Sequence, residues 1–261
     1  MFYLITVLIP TFNNYKSFLK VANSYFSDKR VKIIVSDDST DKIEKNKIRN
    51  FCLENNIQYI NGPKTLPVKN WNNLMKKIDT DFFIINHHDD YPSNLKFIDF
   101  LIPNKVGLMV LPISSIANAK PVRQIFSWQQ ILFSKICLLY PNPLFNMFFS
   151  PTASLIISNK AQKVFFDENL KWFVDCEWYY RVVQKIIKNK LSITFFNKSR
   201  IISIQANNSI TNALSPKLKD QIKLEKNYFK SKGEMPLKII TFFQYIVMGF
   251  ILLKTKFKQL I

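Results

Sequence analysis

The chain predicts an α/β fold, a mostly parallel sheet flanked by helices. Short continuous apolar runs alternate with stretches of helical periodicity over the first hundred residues, the pattern of strands joined by crossover helices. Three of the apolar runs end on polar residues able to do chemistry, as expected where ligands bind beyond the carboxyl ends of parallel strands. The length of 261 residues and a hydrophobic content of 48% suffice for one large domain, or one domain with an appendage.

In order, "YLITVLIP" (3–10) is a continuous β-type run, and "YKSFLKVANSYFS" (15–27) places apolar residues at helical spacing. "VKIIVS" (31–36) is a second buried strand, followed by a helix over "DKIEKNKIRNFCLENN" (41–56) with Asp41 available as its cap. "IQYI" is a short strand, "VKNWNNLMKKID" a helix and "DFFIINH" (81–87) the next strand. The polar ends are Thr11 to Asn14, Asp37 with Asp38, and His87 to Asp90. In a parallel sheet they converge on one crevice.

The second half is less regular. "KVGLMVLPIS" (105–114) reads as one strand, "SWQQILFSKICLLY" (127–140) as a helix, "PNPLFNMFFSP" (141–151) as an aromatic loop and "TASLIIS" (152–158) as a strand. "VDCEWYYRVVQKIIKN" (174–189) is a helix with Asp175 in its first turn, and "LSITFF" and "RIISIQ" are strand-like. "PLKIITFFQYIVMGFILLKTKFKQLI" is helical. Its apolar core, Ile239 to Leu253, is shorter than the roughly 20 residues of a spanning helix and contains Gln244, so an interfacial helix is favoured over a spanning one.

Four glycines leave little material for a glycine-rich phosphate cradle. Cys52, Cys137 and Cys176 lie far apart in an odd count, which argues against a disulfide framework and for a reducing, cytoplasmic compartment. The N-terminus lacks the basic region and cleavage site of a signal peptide. With 37 Lys+Arg against 18 Asp+Glu, the formal charge of +19 calls for an anionic partner. From Leu214 onward ten lysines face three acids among Phe, Leu, Ile and Tyr, a composition that suits a membrane surface better than a nucleic-acid groove.

The chemistry concentrates in two places. "VSDDSTD" puts Asp37 and Asp38 at a strand end, where a carboxylate can accept from a ribose hydroxyl or a base N–H. "IINHHDDYP" holds both histidines of the chain, followed by Asp89 and Asp90. Adjacent strand residues point to opposite faces, so His87 and His88 do not readily share a metal, and no cysteine lies near to complete a zinc set. Carboxylate oxygens suit Mg2+ or Mn2+, which bind largely through substrate phosphates, so a divalent ion bridging Asp89 to a diphosphate is the better chemistry.

The set "VLIPTFNN", "IIVSDDSTD", "NWNNLMKKIDTDFFIINHHDDYP" and "FDENLKWFVDCEWYYRV" resembles the family 2 glycosyltransferases of the GT-A fold, in order and at suitable spacing from about Leu4 to Asn212. The resemblance implies a GT-A type, Rossmann-like domain over 1–212, with a nucleotide-binding half (1–100) and an acceptor half (101–212). The composition of 213–261 predicts, beyond that domain, a basic amphipathic helical extension that associates with a membrane. Pro10, Thr11, Phe12 and Asn13 match the segment lining the nucleotide pocket. Asp38 matches the aspartate contacting the base of a UDP-type donor, with Asp37 beside it, and Asn72 and His88 join the nucleotide site. Asp89 matches the last aspartate of the D-x-D motif, the metal ligand, with His87 as a second candidate ligand. Asp175 matches the general base of the E-D motif. Asp90, Lys69 and Arg181 are supporting residues.

The implied reaction is inverting transfer from a nucleotide sugar to a hydroxyl of a lipid-linked oligosaccharide, of the O-antigen or capsule type, with Mn2+ or Mg2+. It would take place at the inner face of the cell membrane, without nucleic acid. Three positions depart from the family pattern: His87 stands where the first D-x-D aspartate is usual, Trp71 where an arginine often precedes Asn72, and Val174 where the glutamate of E-D is usual. "SIQANNSIT" lacks the arginine and histidine often found in the matching late segment. Two other readings compete with the transferase: a non-catalytic nucleotide or nucleic-acid binding protein, and a zinc hydrolase built on His87 and His88.

Overall fold

Residues 5 to 11 are buried at every position, because this strand lies inside a sheet covered on both faces. The computed structural model describes residues 3–117, 120–125, 152–161, 163–204 and 218–232. Strand β1 (Ile5–Thr11) pairs in parallel with β2 (Val31–Asp37) on one side and β4 (Phe82–Ile85) on the other, and β3 (Gln58–Asn61) extends the sheet beyond β2. Beyond β4 come β9 (Leu155–Ser158), β6 (Val106–Val110) and β10 (Ser192–Phe195), completing a seven-stranded sheet in the order β10-β6-β9-β4-β1-β2-β3. Only β9 runs against its neighbours β4 and β6.

Helices α1 (Tyr15–Asn23) and α2 (Lys42–Glu54) cover one face, with Phe18, Val21, Ile48 and Cys52 packed against Val7, Ile9 and Val35. Helices α3 (Pro67–Met75) and α4 (Val174–Lys188) cover the other, where Leu74, Trp178, Tyr179 and Val182 meet Leu8, Ile34 and Phe83. Local chemistry sets the helix starts. The Asn14 side chain accepts from Ser17 N, Asp41 accepts from Ile43 N and Glu44 N, and Pro67 opens α3.

The single strand expected over 105–114 is two strands in two sheets. β6 belongs to the large sheet, and β7 (Ile113–Ala117) to a four-stranded sheet ordered β5-β11-β7-β8. Pro112, with no N–H to give a ladder, stands at the break, and its carbonyl accepts from Ile201 N. The small sheet also contains β5 (Asp90–Pro92) and β8 (Lys120–Ile125), not anticipated from the sequence, and β11 (Ile201–Ile204). Residues 152–154 form a 3-10 turn rather than the start of β9. The helix over 127–140, the aromatic loop at 141–151 and the terminal helix from 236 lie outside the described residues.

Helix α5 (Leu218–Ser231), the first part of the basic extension, is seated on the domain. Its Phe229 is buried in the α3–α4 core and its Glu225 is buried beneath it. Among the described residues no helix is long and apolar enough to cross a membrane.

Candidate active site

The strand order β4-β1-β2 sets three carboxyl ends side by side, and the candidate residues stand there. At the end of β2 the two aspartates have different roles. Asp37 is fully buried; its carboxylate accepts from Ser39 N (2.8 Å) and from the Tyr59 hydroxyl (3.0 Å), closing the turn. Asp38 accepts from Lys64 N at 2.8 Å and packs against Gly62, where a Cβ would fall 2.1 Å from its Oδ1. Burial pushes the Asp38 carboxyl above its ordinary value, opposed by the Lys64 N–H. Asp38 is therefore the member of the pair with capacity for a ligand.

Thr11 is buried with its Oγ1 unpartnered, while Phe12 is half-exposed at the rim. Asn13 adopts a positive φ of 47° and ties the two strand ends together. Its side chain accepts from Thr40 N and Asp41 N and donates to Thr40 Oγ1, and its own N–H reaches Ser39 Oγ.

Past β4 the chain does not continue as a strand through the histidines. It turns, with Asp90 N donating to the His87 carbonyl. The two rings part company in this turn. His88 is directed at the end of β1, where its ring bonds the Pro10 carbonyl; burial lowers its pKa, partly offset by Asp89. His87 lies edge-on to Trp71, ring centroids 5.0 Å apart, and close enough to Asp90 and Asp175 to oppose part of the rise that burial imposes on both carboxyls. Asp90 is buried and hydrogen-bonded to Ser203 across the β5–β11 pair. Burial first, and then the charge of Asp89, push its carboxyl up to about 7. Asp89 itself is partly buried.

Asp175 enters from the first turn of α4. Its Oδ1 accepts from Thr152 Oγ1 at 2.9 Å, and Thr152 in turn accepts from the Tyr179 hydroxyl at 3.1 Å. Burial raises its carboxyl from the ordinary value, against the lowering influence of His87 and Thr152. A carboxylate so poised holds a proton more readily than a free one, as a general base near neutral pH requires.

Other predicted residues have their polar groups engaged elsewhere. Asn72 donates to the Phe166 carbonyl and Glu168 Oε1 and accepts from Phe166 N, so its amide anchors the chain leading to α4. Arg181, expected as a supporting cation, is instead paired in two bonds with buried Glu177 one turn earlier and donates to the Phe165 carbonyl. The helical spacing of four residues makes that pair, and it leaves Arg181 a structural charge. Lys69 is exposed on α3. Sequence reasoning missed Thr152, Ser203 and Gly62. Of these only Gly62 carries a signal, as one of four glycines standing directly after a strand. An apolar hollow of about 240 Å³ lined by Phe100, Ile102, Val106, Met109 and Phe196 shares no residue with this crevice.

The described residues thus form an α/β sheet with carboxylates at adjacent strand ends and a desolvated carboxyl on a neighbouring helix. Residues 6–132 match the family described as Glycosyl transferase family 2, and the chain carries a family 2 glycosyltransferase region of the GT-A fold. Among solved structures, S. aureus TarS residues 1–349 in complex with UDP superposes with a TM-score of 0.58 at 16% identity, over 78% of this chain and 61% of that one. The same fragment with UDP-GlcNAc gives 0.56 at 17% identity, over 80% and 61%. A further TarS structure gives 0.56 at 16% identity, over 78% of this chain and 37% of its own. The chain thus spans less than two thirds of these relatives, and the likeness is one of fold. A comparison with curated proteins finds no match.

Proposed function

We propose that this protein transfers a sugar from a nucleoside diphosphate donor to a hydroxyl acceptor, with Asp175 as general base. The observation that carries the reading is the gathering of Asp38, Asp89 and a desolvated Asp175 around the ends of β1, β2 and β4. The TarS structures with UDP and UDP-GlcNAc have the same fold and support it. Asp38 accepts from the base, with Phe12 stacked on it and Thr11 Oγ1 supplying a further polar contact. The partly buried carboxylate of Asp89 fits a hard divalent cation such as Mn2+ or Mg2+, with His87 alongside. Among the described residues no group of three His, Cys, Asp or Glu side chains is poised on a metal, so its remaining ligands would be diphosphate oxygens and water. When bound, the ion neutralises charge on the departing diphosphate.

Asp175 takes the proton of the acceptor hydroxyl as its oxygen bonds to the anomeric carbon and the diphosphate leaves from the opposite face, giving inversion. Thr152 holds the carboxylate toward the crevice. The +19 charge and the ten lysines from Leu214 onward support a lipid-linked acceptor at an anionic membrane face. A panel of UDP-, GDP-, dTDP- and ADP-sugars tests the class. One member with Mn2+ should raise the melting temperature and be hydrolysed slowly with water as acceptor. The absence of both stabilisation and nucleotide release with every member would overturn the proposal.

A further inference from the structure

Helix α4 has an unusual beginning. Phe173, at its N-cap position, makes no side-chain cap bond. The three residues leading into it instead turn consecutive backbone N–H groups toward one carboxylate on another helix. Glu225 Oε1 accepts from Lys171 N (2.8 Å) and Trp172 N (2.9 Å), and Oε2 accepts from Phe173 N (2.7 Å). Gln221 Nε2 steadies the same carboxylate from one turn earlier on α5, at 2.6 Å from Oε1. Glu225 is 2% exposed, and a buried carboxylate of this kind persists only where charge-assisted bonds replace its water. Successive amides converging on an anion form a concave nest whose shape the anion fixes.

The rest of α5 grips the same stretch of chain. The Tyr228 hydroxyl and Lys232 Nζ both reach Asp167 Oδ2, at 2.6 and 2.8 Å, and Phe229 packs on Phe173 with ring centroids 6.0 Å apart. Asp175 lies two residues past Phe173, whereas Thr152, its hydrogen-bond partner, belongs to a separate turn ahead of β9. The register between Asp175 and Thr152 therefore depends on where the 171–173 turn is held.

We propose that Glu225 is a positioning residue for Asp175, fixing through the backbone of residues 171–173 the point at which the base-bearing helix starts. The proposal rests on reading Asp175 as the base. Glu225 touches neither donor nor acceptor. Its influence should fall on the chemical step, where a misplacement of about 1 Å costs on the order of 100-fold, and not on nucleotide affinity.

The test compares Glu225→Ala, Glu225→Gln and Asp175→Asn in the full chain. Three quantities are read: hydrogen exchange of the 168–176 backbone, affinity for UDP and GDP, and nucleoside diphosphate release from the nucleotide sugar that the panel above turns over fastest. The expected result for Glu225→Ala is faster exchange at 171–173, release slowed about 100-fold, and nucleotide affinity within about twofold. Glu225→Gln, keeping an acceptor oxygen but not the charge, should recover release to within about tenfold of the parent. Unchanged exchange, or faster exchange with an unchanged rate, overturns the proposal. So does a parallel loss of nucleotide affinity in both variants, which would make Glu225 a residue of the whole fold. Asp175→Asn that releases nucleotide at the parental rate overturns the base assignment separately, and leaves the exchange result intact as a statement about the turn.

Discussion

Replacing Gly62 by alanine probes the nucleotide pocket through a single methyl group. The added Cβ would lie 2.1 Å from Asp38 Oδ1, 2.7 Å from its Cγ and 3.0 Å from the backbone carbon of Asp37. Gly62 cannot retreat freely, because its N–H is bonded to the Asp37 carbonyl at 2.9 Å. Asp38 must swing aside and give up the Lys64 N–H, the bond that stabilises the left-handed conformation of Lys64 (φ 52°). Overpacking of this kind costs about 1–3 kcal/mol of stability. Loss of a charge-assisted hydrogen bond to the base costs ~1.5–3 kcal/mol of binding, or about 10- to 100-fold in Kd. Calorimetric titration with UDP and GDP measures the second, and the melting temperature the first. Adding Asp38→Ala to Gly62→Ala should restore stability while leaving affinity no weaker than in Asp38→Ala alone, because both act through one carboxylate. Parental affinity in Gly62→Ala, together with parental affinity in Asp38→Ala, would refute the assignment of Asp38 to the base.

Burial raises the Asp175 carboxyl, so turnover should fall as pH drops through a value above the ordinary carboxylate range; Thr152→Val, which removes a bond favouring the charged form, should move that limb higher in a pH–rate profile. Asp90, pushed up to about 7, keeps in the folded state a proton that the unfolded chain releases near the ordinary carboxylate value. Stability should therefore decline as pH rises from about 4 to about 7. Asp90→Asn, followed by denaturant titration across that range, should flatten the decline. Arg181→Ala strands the buried carboxylate of Glu177 and should lower stability by about 3 kcal/mol, with UDP and GDP affinity unchanged by titration.

The strands that organise the crevice were the most legible part of the chain. β1, β2 and β4 are buried on both faces, so their runs are mostly apolar, interrupted only by Thr6 and Lys32 before the polar ends begin. The small sheet was harder to read because its strands are short and carry polar residues: β5 is Asp-Tyr-Pro, and β7 follows β6 after two residues, so Pro112 was the sole sign of a change of sheet. The docking of α5 left no sequence signal, since Glu225 and Phe229 look like any acid and aromatic in a lysine-rich helix until the 167–173 turn is set against them.

Within the site, sequence could name the motifs but not divide the work inside them. Asp37 and Asp38 are neighbours of one type, and what separates them is Tyr59 on β3 and Lys64 beyond it, more than twenty residues away. Asn72 was assigned to the nucleotide site because its partners, the Phe166–Glu168 segment, become visible only once α3 and α4 share a face of the sheet, whereas the Glu177 partner of Arg181 stands four residues away on one predicted helix. The histidine pair shows the same dependence on geometry. A turn after β4 sends His88 to Pro10 and leaves His87 beside Asp90 and Asp175, where an aspartate would add a further negative charge to a crowded, poorly solvated group of carboxylates. His87 instead opposes part of the rise that burial imposes on both neighbours, so its presence at the usual aspartate position bears on Asp175, the proposed base, as well as on Asp90.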